Sequence, residues 1–146
     1  MTRFRRITWW CVAILLLLPF TLFVLFTVDE AKARDGFRQE LADVDVSDGI
    51  SSVEANEIAG AYFGGYISAC GGPSEGKLIN GEWVIPISIG YGGRAAESPI
   101  RINAKTGGTR YEGGPTFSSF ETFRFNLLWG IPLRKLSYFL SQAWAS

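Results

Sequence analysis

Any catalytic reading of this chain has to start without histidine, which does not occur in its 146 residues. That removes the commonest general base, the commonest zinc ligand and the side chain that ordinarily titrates near physiological pH. Two cysteines remain, Cys11 and Cys70. Cys11 falls inside a long apolar run and Cys70 far outside it, so the two are not expected to pair within one chain. With no histidine to activate it, Cys70 reads as a small buried hydrophobe at a helix end. Glu54 and Glu57 lie on the polar side of a capped helix, and Glu82, Glu97, Glu112 and Glu121 have no spacing that would bring two into one cleft. Asp43, Asp45 and Asp48 lack the glycine and distal glutamate of an EF-hand calcium loop and read as solvated surface. The glycines at 90–93 and 107–108 have neither the strand-to-helix setting nor the Lys-Ser/Thr pair of a phosphate cradle, so they read as turns. No catalytic, cofactor-binding or metal-binding residue is nominated, and no small-molecule substrate is expected. A formal net charge of zero argues against a nucleic-acid partner.

The elements that would carry any surface of interest begin with residues 7–28, an uncharged run preceded by Arg3, Arg5 and Arg6 and followed by Asp29 and Glu30. As a helix it would extend roughly 33 Å at ~1.5 Å per residue, against about 30 Å for a hydrocarbon core. The expectation is a single transmembrane anchor, with Arg5, Arg6, Trp9 and Trp10 at its cytoplasmic interface and membrane lipid as its partner. A cleavable signal peptide is the alternative, and Ala31-Lys32-Ala33 supplies an A-x-A pattern. The run is longer than the ~7–15 residues of a signal-peptide core, which favours the uncleaved anchor. Counting Lys and Arg keeps the N-terminus cytoplasmic and exports the rest, as for a bacterial inner-membrane protein with a periplasmic or extracellular domain. Residues 29–49 read as a stalk.

The folded part is expected from Ile50. Ser51 precedes Glu54 at capping-box spacing, and Ile58, Tyr62, Phe63, Tyr66, Ile67 and Cys70 recur at three- and four-residue steps, predicting a helix over about 52–69. Gly60, Gly64 and Gly65 would let a sheet approach it closely, and Gly71-Gly72-Pro73 would end it. The period then changes to two. Ile79, Trp83, Ile85, Ile87, Ile89 and Tyr91 share one face, Asn80-Gly81 can turn a hairpin, and Pro86 calls for a sheet edge or a bulge. Ile100, Ile102 and Ala104 form a second alternation before a turn at 106–109. The fold class is α+β: the transmembrane helix, a small domain of one helix on an antiparallel sheet over 50–115, and a C-terminal amphipathic helix within 116–146.

These residues carry a resemblance. Ser51, Glu54, Ala55, Ile58 and Ala59 on the helix, the Trp83-led strand, and Ile100-Arg101-Ile102-Asn103-Ala104-Lys105-Thr106-Gly107 together resemble the PepSY module over about 50–112. Asn103 stands where that family usually has aspartate. PepSY domains are mostly non-catalytic and occur in peptidase propeptides and membrane-anchored envelope proteins, which implies binding or inhibition. The same segment is similar to small immunity proteins with a cystatin-like, nuclear-transport-factor-like fold, which implies a toxin as partner.

In the last thirty residues Arg134 and Lys135 interrupt every long apolar window, so no second membrane span fits, while Leu133, Leu136, Leu140, Ala143 and Trp144 share a helical stripe. This segment packs on the domain, lies on a lipid surface with Trp129, Tyr138 and Trp144 at headgroup level, or docks a membrane partner. The expected function is non-enzymatic: a membrane-anchored module that inhibits or regulates a protein partner in the envelope. Pro86, Trp129, Arg134, Lys135, Tyr138 and Trp144 are the candidate contact surface. An immunity protein and a structural or assembly subunit of a membrane complex are the alternatives.

Overall fold

A computed structural model describes the backbone of residues 2–68 and 70–129, with side chains from residue 17 onward except 26 and 30. The side chains of Arg5, Arg6, Trp9 and Trp10, and the whole of Arg134, Lys135, Tyr138, Trp144 and the expected C-terminal amphipathic helix, lie outside the described residues. The chain divides into two compact units, Met1–Asp35 and Gly36–Ser146.

The first unit is the greater part of helix α1, Thr2–Glu40, which carries Pro19 inside it. Thr21 and Thr27 donate their hydroxyls to the carbonyls of Leu17 and Val24, both at 2.8 Å, so each hydroxyl proton is satisfied within the helix. Leu17, Leu18, Phe20, Leu22, Phe23, Leu25 and Val28 are all exposed. The expected transmembrane helix is corrected here, because among the described residues no helix is long and apolar enough to cross a membrane.

The second unit is α+β. Helix α2, Ser52–Tyr62, starts at a capping box: Glu54 N–H donates to the Ser51 hydroxyl at 3.3 Å and the Ser51 N–H donates to the Glu54 carboxylate at 2.8 Å. These bonds satisfy two backbone donors that the first helical turn leaves without partners. A π-helical turn, Phe63–Ile67, extends α2 and stops at Ser68, where the backbone becomes extended. Seven short strands follow: β1 Gly71–Pro73, β2 Lys77–Ile79, β3 Glu82–Ile85, β4 Ile87–Ile89, β5 Arg94–Ala95, β6 Ile100–Asn103 and β7 Thr109–Arg110. They pair antiparallel in two sheets, ordered β1-β4-β5 and β2-β3-β6-β7. Helix α3, Phe120–Trp129, closes the described chain.

Pro86 does not sit at a sheet edge. β3 is paired on both sides by β2 and β6, and β4 on both sides by β1 and β5. The strand expected over 83–91 instead breaks at Pro86, whose missing N–H cannot continue a ladder, and passes from one sheet to the other. Its carbonyl still accepts from Ser74 N–H at 2.8 Å. Gly71-Gly72-Pro73 is likewise a strand rather than a helix end: a Cβ on Gly71, at φ 110°, would meet the Ser88 carbonyl oxygen of β4 at 2.0 Å. Asn80-Gly81 makes the expected two-residue hairpin, with both φ angles positive, 52° and 79°, and Ile79 opposite Glu82.

α2 buries Ala55, Ile58, Ala59, Ala61 and Tyr62, and Ile85, Ile87, Ile100 and Ile102 supply the sheet side of the core. Only the middle of the expected apolar alternation is covered, since Ile79, Ile89 and Tyr91 reach past α2 and are exposed. The glycines of α2 and its π-helical extension admit helices rather than the sheet. A Cβ on Gly60 would stand 2.6 Å from Glu40 Oε1 and one on Gly65 would stand 2.5 Å from Leu127 Cδ1. Phe117, Phe120, Phe123 and Leu127 join the core, with Phe123 ring centroids 6.0 Å from Tyr62 and 5.5 Å from Phe117. The Tyr62 hydroxyl donates to the Pro115 carbonyl at 2.6 Å, tying α2 to the loop that leads into α3.

Candidate functional site

The β4–β5 hairpin and the segment after it form one side of a concavity. Gly90 N–H donates to the Cys70 carbonyl at 2.9 Å and Gly93 N–H to the Gly90 carbonyl at 3.2 Å, so the 90–93 turn is closed and fastened at its base. Ala96 N–H donates to the Ile87 carbonyl at 2.9 Å and prolongs the pairing beyond β5. Between this hairpin and the chain after β7 lies an open groove of ≈ 760 Å³, bordered by Ile89, Arg94, Glu97, Ser98, Tyr111 and Glu112. The glycines at 90, 92 and 93 leave Tyr91 with no flanking side chain, and it stands fully exposed at the tip.

Glu97 and Glu112 share this groove, which their separation in the sequence does not suggest. β6 and β7 lie between them, and that hairpin returns residue 112 to the level of residue 97; no local periodicity could have revealed it. The Ser98 hydroxyl donates to Glu112 Oε2. A carboxylate can orient a hydroxyl but is a weak base towards it, and the contact fastens two loops. No group of three or more His, Cys, Asp or Glu among the described residues is placed to hold a metal ion.

The other residues singled out by type fall elsewhere. The Asp45 backbone N–H donates to Glu54 Oε1 at 2.8 Å and the Asp45 carboxylate accepts from Ser47 N–H at 2.9 Å, which builds the acidic loop into the cap of α2. Those bonds to Ser47 hold the Asp45 carboxyl below its ordinary range, and the bonds from Ser51 do the same for Glu54. Cys70 is a free, half-buried thiol between the π-helical turn and β1. Asn103 Oδ1 accepts from the backbone N–H groups of Lys105 and Thr106, at 2.9 and 3.0 Å, and shapes the turn after β6. An aspartate oxygen would accept the same pair, so asparagine there keeps the turn. Pro86 is exposed at the sheet junction, and Trp129, 67% exposed, stands at the end of α3 with Phe125 exposed on the same helix. Comparison with family models, with curated proteins and with solved structures finds no match to this chain.

Proposed function

We propose that residues 36–146 form a non-enzymatic binding module that inhibits or regulates a protein partner at the cell envelope, with Tyr91 as the anchor of contact. The observation that carries the reading is the full exposure of an aromatic side chain on a closed, glycine-flanked hairpin above an open groove. A tyrosine so placed buries nothing of its own fold, while it offers a rigid apolar ring and a hydroxyl to a partner surface. Arg94 and the Glu97 and Glu112 carboxylates give the groove charges of both signs, a feature suited to selecting a partner rather than to holding one small ligand. The resemblance of residues 50–112 to PepSY modules points the same way. Attachment at a membrane belongs to the proposal too: Leu17, Leu18, Phe20, Leu22, Phe23, Leu25 and Val28 are exposed, and lipid is a cover that fits such a surface.

The test is crosslinking of the tagged full-length protein in native membranes, followed by affinity purification and mass spectrometry of wild type and Tyr91→Ala. A partner recovered with wild type and reduced about tenfold or more with Tyr91→Ala is expected, the loss of an interface anchor being worth roughly 2 kcal/mol or more. Equal recovery with both proteins would remove Tyr91 from the contact.

A further inference from the structure

The solvent face of the β2-β3-β6-β7 sheet carries a row of cations. Strand register sets Lys77 opposite Val84, Val84 opposite Arg101, and Arg101 opposite Arg110, so three cations lie in one cross-strand row. Glu82, one row along, is the single carboxylate on this face of the sheet. It accepts both of its oxygens' bonds from Arg110 Nη2 at 2.8 Å and stands 3.7 Å from Arg101 Nη1. Like charges directly opposite each other weaken a sheet, and one carboxylate neutralises only one of the three cations.

Among the described residues the row ends at an open edge. β2 is the outer strand of its sheet, with Leu78 and Ile79 exposed at 55% and 50%. In a two-residue hairpin the residues flanking the turn, Ile79 and Glu82, exchange the ladder bonds, so the N–H and C=O of Leu78 point away from β3 towards the free side. The geometry points to β2 as the docking edge for an extended acidic segment of a partner protein, added as a further antiparallel or parallel strand. Alternate side chains of that strand fall beside Lys77 and Ile79, so the fitting pattern is an acid and an apolar residue two positions apart. Charge complementarity selects the occupant. Residues 130–146 contain Arg134 and Lys135 and no acid, the same sign as the row. A second copy laid face to face repeats that sign.

This surface is distinct from the Tyr91 hairpin and is read out with a different probe: a peptide of repeated Thr-Glu-Thr-Val units, titrated into the full chain in phospholipid nanodiscs, with a Thr-Lys-Thr-Val peptide as control. Calorimetry gives the affinity and amide chemical shifts give the place. The glutamate peptide is expected to bind, to move the amides of residues 77–80, and to weaken as salt rises; the lysine peptide is expected to bind at least about tenfold more weakly. Lys77→Glu should lower the affinity by about tenfold or more. Leu78→Pro, which removes an outward-facing N–H together with the leucine side chain, should abolish binding, with Lys77→Glu as the variant that keeps the test open if the proline disrupts the hairpin. Absence of binding, equal affinity for the two peptides, indifference to Lys77→Glu, or occupation of the β2 edge by residues 130–146 or by a second copy would overturn the proposal.

Discussion

Glu40 ends α1 against Gly60 of α2, and there partial desolvation, then the like charge of Glu57, raise its carboxyl above the ordinary value of 4.5. The folded chain therefore binds this proton more tightly than the unfolded chain. Between 4.5 and the raised value the folded state holds more protons, so this group's contribution to stability falls as pH rises through that window. Glu40→Gln is expected to be more stable than wild type at neutral pH and to lose less between acid and neutral pH, read from urea midpoints across a pH series. An unchanged pH profile would show that Glu40 has its usual affinity for the proton. Asp45 and Glu54, both lowered, act in the opposite sense: what they add is present above their ordinary values and lost as pH falls. The Ser51 and Glu54 pair was legible in the sequence because a capping box is local; the Glu40 and Glu57 pair was not, because it depends on where α1 stops.

Gly60 of α2 and Gly65 of its π-helical extension let other helices approach closely. Gly65→Ala would put a Cβ within 2.5 Å of Leu127 Cδ1 on α3, and overpacking of this kind costs about 1–3 kcal/mol. Leu127→Ala removes the clashing atoms, so the double variant should lose less than the sum of the two single losses, with the coupling measured by a double-mutant cycle in urea. Strict additivity would mean that α3 does not pack on the π-helical turn. Spacing alone predicted the glycines' close approach and assigned it to the wrong neighbour, since a small residue on a helix says how near something comes and not what comes. The Asn80-Gly81 hairpin needed no such information, because two positive φ angles in a two-residue turn already fix how the strands leave it. Pro86 forbade a continuous ladder, but whether that meant an edge, a bulge or a change of sheet depended on β1 and β5, which pair with β4 across the fold.

Across the whole molecule charge is sharply divided: residues 39–76 hold seven acids and no Lys or Arg, whereas residues 77–146 hold eight Lys or Arg and four acids. The acids gather before and along α2, and three of the cations gather on the solvent face of one sheet, so a neutral chain presents strongly charged surfaces. The apolar run of α1 adds a further surface. The full chain is expected to float with phospholipid vesicles in a density gradient and a fragment of residues 36–146 to stay at the bottom; flotation of both, or of neither, would separate lipid binding from residues 17–28. The sequence by itself determined the α+β class, the start of α2, the hairpin at Asn80-Gly81 and the inward set Ile85, Ile87, Ile100 and Ile102, because period, capping and turn chemistry act over a few residues. Only the tertiary structure decided that Phe117, Phe120 and Phe123 are core, that Glu97 and Glu112 border one groove, and that Lys77, Arg101 and Arg110 stand in one row. Each of those depends on strand pairing and helix docking between residues far apart in the chain, and that pairing is set by the burial of the whole core rather than by any local pattern.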